Sequence, residues 1–164
     1  MEDIIIRPLK QDEIPILEDL LYEAVYQPDK ENPIPRTILE QPEINVYIKD
    51  FGDKKDDYCL VAEVEGRIAG GVWVRILAGE VKGYGNIDSE TPEFGISLFE
   101  EYRSRGIGTQ LMTAMIGYLK SKGCKQTSLS VHKGNYAIGL YLKTGFKIIK
   151  EQEEDYLMLL DLKS

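Results

Sequence analysis

Histidine is almost missing from this chain: His132 is the one instance in 164 residues. That leaves too few imidazoles for a histidine-built zinc site. Cysteine is nearly as scarce. Cys59 and Cys124 stand far apart without metal-ligand spacing, so they read as reduced structural thiols rather than as a disulfide or metal framework. No apolar run approaches the ~18 residues of a membrane span. The opening MEDIIIRPLK lacks a basic n-region and a signal-type apolar stretch, so a cytoplasmic protein with no membrane partner is expected. Positive charge is also in deficit, with 20 Lys and Arg against 28 Asp and Glu and a net charge of −8. Nucleic-acid binding rests on basic contacts to phosphate, and this balance argues against it. A cationic partner is compatible, although ordinary solvation explains the charge more simply. There is no internal repeat and no low-complexity tract.

What is present is an ordinary globular composition, 43% apolar and 29% charged, in a length that suits one domain over residues 1–164. Ile4-Ile5-Ile6 reads as a first strand. Asp12 can cap a helix with Ile14, Leu17, Leu21, Ala24 and Val25 on one stripe and Pro15 in its first turn, fading near Gln27-Pro28. From there to Asp57 the chain carries Pro28, Pro33, Pro35, Pro42 and DFGDKKDD, a loop-rich segment with one short helix near Thr37–Glu40. It is too long for a mere connector and suits a substrate-side lid.

Tyr58–Val64, a tight Glu65-Gly66 turn and Arg67–Leu77 predict a β-hairpin. Glu93–Leu98 predicts another strand. Ile107, Leu111, Ala114, Met115 and Tyr118 mark a helix that Gly123 ends. Alternation around Leu129 and Val131 gives a half-buried strand, followed by a short helix over Tyr136–Lys143. Phe146–Ile149 and Tyr156–Leu160 close the chain as antiparallel strands. The expected fold is α/β in the α+β sense: a mixed, mostly antiparallel sheet of about six to seven strands with helices on both faces.

The most compact basic cluster of this acidic chain lies in YRSRGIGTQLM, Tyr102–Met112, between a strand and a helix. A helix start exposes backbone N–H groups without partners and the positive end of the helix dipole. Gly106 and Gly108 let a ligand approach the backbone, Arg103 and Arg105 raise the potential, and the Thr109 hydroxyl adds a donor, which together describe a phosphate or pyrophosphate site. A dinucleotide G-x-G-x-x-G would need glycine where Leu111 stands. A P-loop would need G-K-[S/T], which neither Gly108 nor Gly139 begins.

Arg103–Gly108 matches the pattern [R/Q]-x-x-G-x-[G/A], and NYAIGLYLKTGF, Asn135–Phe146, follows at the appropriate distance. Together they resemble the acyl-CoA-binding motif and downstream segment of the GNAT superfamily of N-acetyltransferases. The resemblance covers nearly the whole chain, except that residues 27–57 carry no family signature. It implies acetyl-CoA as cosubstrate with no metal, and its pyrophosphate on the amides of Arg105, Gly106, Ile107, Gly108 and Thr109, with Arg103 opening the motif. The pantetheine arm would run along Ile96 to Leu98, and the Leu98 amide would meet the thioester carbonyl. Asn135 matches the asparagine that contacts pantetheine, with a helix cap as its other reading. Tyr141 matches the acid that protonates the departing thiolate, with a core aromatic as its alternative.

Glu93 is the candidate general base by the same resemblance; as the first residue of its strand it reads equally as a solvated carboxylate. Glu100 and Glu101 are expected on the surface, as is His132, for which a base is the other reading. No cysteine holds a motif position for a covalent acyl-enzyme, so direct attack in a ternary complex is implied. The acceptor amine is open, whether small molecule, lysine or protein N-terminus, and Tyr22, Tyr26, Tyr47 and Phe51 could wall its site. An acyl-CoA-binding sensor without turnover is the alternative from another class, and a homodimer remains open.

Overall fold

A computed structural model describes residues 3–163. The elements run β1 (Ile4–Pro8), α1 (Ile16–Ala24), α2 (Pro42–Asn45), β2 (Tyr58–Val64), β3 (Arg67–Arg75), β4 (Glu93–Leu98), α3 (Ile107–Ser121), β5 (Gln126–His132), α4 (Ile138–Thr144), β6 (Lys147–Glu151) and β7 (Asp155–Asp161). The strands form one seven-stranded sheet in the order β1-β2-β3-β4-β5-β7-β6. Every neighbouring pair is antiparallel except β4 and β5. The hairpin between β2 and β3 turns on Glu65 (φ 51°) and Gly66 (φ 79°), two left-handed residues whose twist matches the strands they join.

Alternation along β2 divides the interior into two cores. Leu60, Ala62 and Val64 face α3, where Leu111, Met112 and Met115 are completely buried. Cys59 and Val61 face the other way, with Trp73 from β3, onto Leu17, Leu20 and Leu21 of α1 and onto Phe51 and Leu39 of the linker. Burying each large apolar side chain is worth roughly 1.5–3 kcal/mol. Both faces of the sheet are therefore covered, as expected. Among the described residues no helix is long and apolar enough to cross a membrane.

Several boundaries differ from the sequence reading. Asp12 does not cap α1. It lies in a 3₁₀ turn, Gln11–Glu13, in which the Glu13 carboxylate accepts the Lys10 N–H (2.9 Å) and is gripped by Arg7 (2.8 Å). The helix itself begins after Pro15 and stops at Ala24, because Val25 turns to an extended conformation and sends Tyr26 toward β5. The linker holds a 3₁₀ turn over Arg36–Glu40, as expected, and a further short helix, α2. Phe146 is not part of β6. It is 1% exposed, and its N–H closes the end of α4 by donating to Tyr141 C=O (3.0 Å).

Candidate active site

The sheet opens between its two parallel strands. β4 and β5 pair at Glu93 and Ser128, where Ser128 N–H donates to Pro92 C=O (3.1 Å), and they part beyond that point. Pro92 C=O faces β5, whereas Phe99 N–H faces β3 and donates to Ala69 C=O (3.0 Å). Backbone groups alternate sides along a strand, so the N–H groups of Ile96 and Leu98 point into the gap. Leu98 C=O points there too and accepts Arg103 Nε (3.1 Å). An open strand edge inside a sheet is a template for an extended, amide-bearing molecule.

The arginine-glycine turn lies at the end of that edge. Ser104 (φ 63°) and Gly106 (φ 81°) are both left-handed and curl the backbone around Arg105. Gln110 makes the first helical bond, to Gly106 C=O (3.3 Å), so the amides of Ile107, Gly108 and Thr109 precede the ladder. The turn and the dipole of α3 form a concavity for an anion. The two glycines serve different ends. A Cβ at Gly106 would meet nothing within 4 Å, so its conformation is what requires glycine. A Cβ at Gly108 would lie 3.3 Å from Leu140 Cδ2 and 3.6 Å from Leu98 Cδ1, so here glycine lets α4 pack on α3. Arg103 is a staple: besides Leu98 C=O it binds Glu23 of α1 (3.1 Å) and lies over the Tyr136 ring. Arg105 is exposed and its guanidinium lies over the Tyr102 ring.

The second motif, Asn135–Phe146, carries α4, whose Leu140 packs against Gly108 of α3. Asn135 Oδ1 accepts the Ala137 N–H (2.8 Å) and its C=O accepts Ile138 N–H (3.3 Å), which is the helix-start role seen as its alternative. Tyr141 is buried in the α3-side core, edge-on to Phe146 (5.9 Å), which is edge-on to Phe94 of β4 (5.7 Å). Burial raises its phenol above the ordinary value near 10, so it remains protonated through the physiological range.

Glu93 is not the solvated strand end that its position allowed. It is 3% exposed, on the α1 face of the sheet shared with Ser97, whose Oγ donates to Leu20 C=O (2.6 Å). Burial pushes its carboxyl up to about 7, against the opposing pull of hydrogen bonds from the Tyr47 hydroxyl and Gly85 N–H (3.1 Å). Glu93 and Tyr141 thus belong to opposite faces of the sheet.

Tyr47 was expected as a wall of the acceptor site, and its bond to Glu93 had no signature in sequence. Of the other expected wall residues, Phe51 is core, Tyr22 donates to Ile34 C=O, and Tyr26 stacks on His132 (4.1 Å, 9°). His132 is accordingly half-buried rather than on the surface, and its Nδ1 accepts the Gly134 N–H (2.9 Å). Glu100 and Glu101 are exposed, as expected.

The model of the acetyltransferase (GNAT) family matches residues 21–146, most of the chain and both motifs. The chain belongs to this family. An N-alpha-acetyltransferase of Sulfurisphaera tokodaii is 34% identical to this GNAT chain over 110 residues, 60% of the chain and 66% of that relative. An uncharacterized N-acetyltransferase of Bacillus subtilis, YobR, is 35% identical over 72 residues, 43% of the chain and 27% of its own length. The GNAT chain therefore spans just under two thirds of the archaeal relative and about a quarter of the bacterial one. Among solved structures, PaiA N-acetyltransferase of Thermoplasma acidophilum in complex with coenzyme A superposes with a TM-score of 0.68 over 97% of this chain and 99% of its own, at 22% identity. The ribosomal-protein-S18-alanine N-acetyltransferase of Escherichia coli gives 0.67 at 16% identity, covering 99% and 96%. These likenesses carry the fold.

Proposed function

We propose that this GNAT acetyltransferase moves an acetyl group from acetyl-CoA to a primary amine by direct attack in a ternary complex. The observation that carries the reading is the parting of β4 from β5, which turns the Ile96 and Leu98 amides toward a gap that ends at the α3 N-terminus. Acetyl-CoA, when bound, supplies an activated thioester. The 105–109 turn would hold its pyrophosphate, the Ile96–Leu98 edge and Asn135 its pantetheine, and Leu98 N–H its carbonyl oxygen. A donor so placed stabilises charge developing in the transition state. Glu93, five residues along β4 from Leu98, takes up the amine's proton through intervening water as the nitrogen bonds to the carbonyl carbon. Tyr141 gives a proton to the sulfur as the C–S bond breaks. Burial pushes the Cys59 thiol up to about 12, which speaks against a thiolate nucleophile there. The direct test incubates the protein with acetyl-CoA and a panel of amines: free thiol and N-acetylated product should appear together. Tight binding with neither product would leave the sensor reading instead.

A peptide α-amine is the acceptor favoured, by the likeness to an N-alpha-acetyltransferase and by the burial that pushes the Glu93 carboxyl up to about 7. An α-amine of pKa ~8 needs less help from such a base than a lysine of ~10.4.

Two variants check the donor side. Arg105→Glu reverses an exposed charge at the turn and should raise the CoA dissociation constant roughly 10- to 100-fold in calorimetry, the range for a lost charged hydrogen bond. Tyr141→Phe keeps the ring in the core, so the fold and the KM for acetyl-CoA should hold while kcat falls about 10²-fold. A loss below about threefold would return Tyr141 to packing alone.

A further inference from the structure

Glu93 is covered by residues 83–85 of the loop between β3 and β4. Gly83 lies so close to Oε1 that a Cβ there would collide with it. Gly85 N–H donates to Oε2, and its C=O accepts Ser128 Oγ (2.7 Å) on β5. A Cβ at Gly85 would lie 2.8 Å from the backbone of Leu129 and Ser130, so the segment is pressed flat across β5. Tyr47, arriving from the linker after α2, donates its hydroxyl to Oε2 and accepts Tyr84 N–H (2.8 Å). One carboxylate oxygen therefore holds two donors, while Oε1 is buried with no hydrogen-bond partner. A buried, unpaired acceptor costs about 1–3 kcal/mol, so the two donors on Oε2 carry the stabilisation of the charged form.

We propose that Tyr47 is a positioning residue for Glu93: by saturating Oε2 and tying it to the 83–85 segment, it fixes the carboxyl in place and sets how readily it ionises. This rests on the reading of Glu93 as the base. The remaining ionisable neighbours do not compete for the role. Arg75 stands directly opposite Glu93 on β3, but its guanidinium is taken up by Asp57 (2.8 and 2.9 Å) and by the carbonyls of Val46 and Lys49. Tyr84 engages through its backbone, and β5 presents the uncharged Ser128. Tyr47 is thus the side chain on which the proton affinity of Glu93 depends. Its bond favours the ionised carboxylate, so its loss must make the base harder to ionise.

The test is the pH dependence of kcat for Tyr47→Phe, measured beside the parent and Glu93→Gln. The acid limb of Tyr47→Phe should move about one pH unit alkaline with its high-pH plateau within about threefold of the parent. A structural role would instead scale the whole profile down without moving its midpoint. Site-specific 3-fluorotyrosine at position 47, a stronger donor of the same shape, should move the limb the other way and covers the case of a Tyr47→Phe chain that folds poorly. A carboxyl carbon NMR titration of Glu93 should report the same shifts without turnover. If Glu93→Gln loses the limb while both Tyr47 variants keep the parent's midpoint, the Tyr47 inference is overturned and the base stands. If Glu93→Gln keeps the limb, the base reading fails and Tyr47 fails with it.

Discussion

Glu93→Gln is expected to lower kcat by ~10²–10⁴, the span typical of a positioned general base, and to erase the acid limb of the pH profile. The reason is local. Glu93 is 3% exposed, burial pushes its carboxyl up to about 7, and the Tyr47 and Gly85 donors keep it from rising further. Below pH 7 the carboxyl is protonated and cannot accept a proton; above it, the rate reaches its plateau. Glutamine keeps the shape and can still accept both hydrogen bonds, but it cannot take up a proton. The linked effect on stability has the opposite sign. A carboxyl raised from 4.5 to about 7 by folding contributes stability that is complete below 4.5 and is lost as pH rises through 7. Glu93→Gln removes that loss, so at pH 8 the variant should be at least as stable as the parent. A slow, stable enzyme is the expected result, and a kcat within about threefold of the parent would remove Glu93 from the reaction.

Asp57→Ala should cost about 3–5 kcal/mol of unfolding free energy, a large part of the ~5–15 kcal/mol available to a domain. Asp57 and Arg75 have side-chain exposures of 0% and 3%, and the pair is bidentate, Arg75 Nε to Oδ1 (2.9 Å) and Nη2 to Oδ2 (2.8 Å). The carboxylate also accepts Gly52 N–H (2.9 Å) and Lys54 N–H (3.2 Å), while Arg75 donates to Val46 and Lys49 carbonyls from its other nitrogen. The pair therefore folds residues 46–57 onto β3. Its removal leaves a buried guanidinium without its counter-ion, which is why breaking the pair is so much worse than never having built it. Burial alone would raise the Asp57 pKa; the hydrogen bond and charge of Arg75 outweigh it and hold the carboxyl below its ordinary 3.8. The stabilisation is thus present above 3.8 and lost as acid protonates the folded state. Urea denaturation at neutral pH should show the deficit, and a parent-like midpoint would show that Arg75 is held by the carbonyls alone. Because the 46–57 segment also carries Tyr47, surviving Asp57→Ala protein should be impaired in turnover as well.

The framework of the proposed donor half was legible because its backbone is local. A strand, a left-handed turn and a helix start lie within Glu93–Ser121, and glycine at 106 betrays the turn whatever surrounds it. The strand limits at Glu93 and Leu98 match the expectation for the same reason. The proposed acceptor half was opaque. Tyr47 and Glu93 are 46 positions apart, joined across a linker whose short 3₁₀ and α turns follow no periodic pattern. Burial of Glu93 depends on Gly83 and Gly85 folding back over it, which composition signals only as a flexible loop. The Asp12 cap failed because Pro15 allowed a helix start on either side of it, and the Arg7–Glu13 ion pair, a tertiary contact with Glu63 of β2, decided between them.

An amide NMR titration of the isotopically labelled protein with acetyl-CoA tests the central claim most directly, because it reads each backbone group separately. Saturable shifts should centre on Ile96, Leu98 and the run from Arg105 to Thr109, with Leu98 protected from hydrogen exchange in the complex. Shifts that spare those amides, and gather instead in the groove of Ile116, Lys120, Ile149 and Leu159 between α3 and the β6–β7 pair, would contradict it.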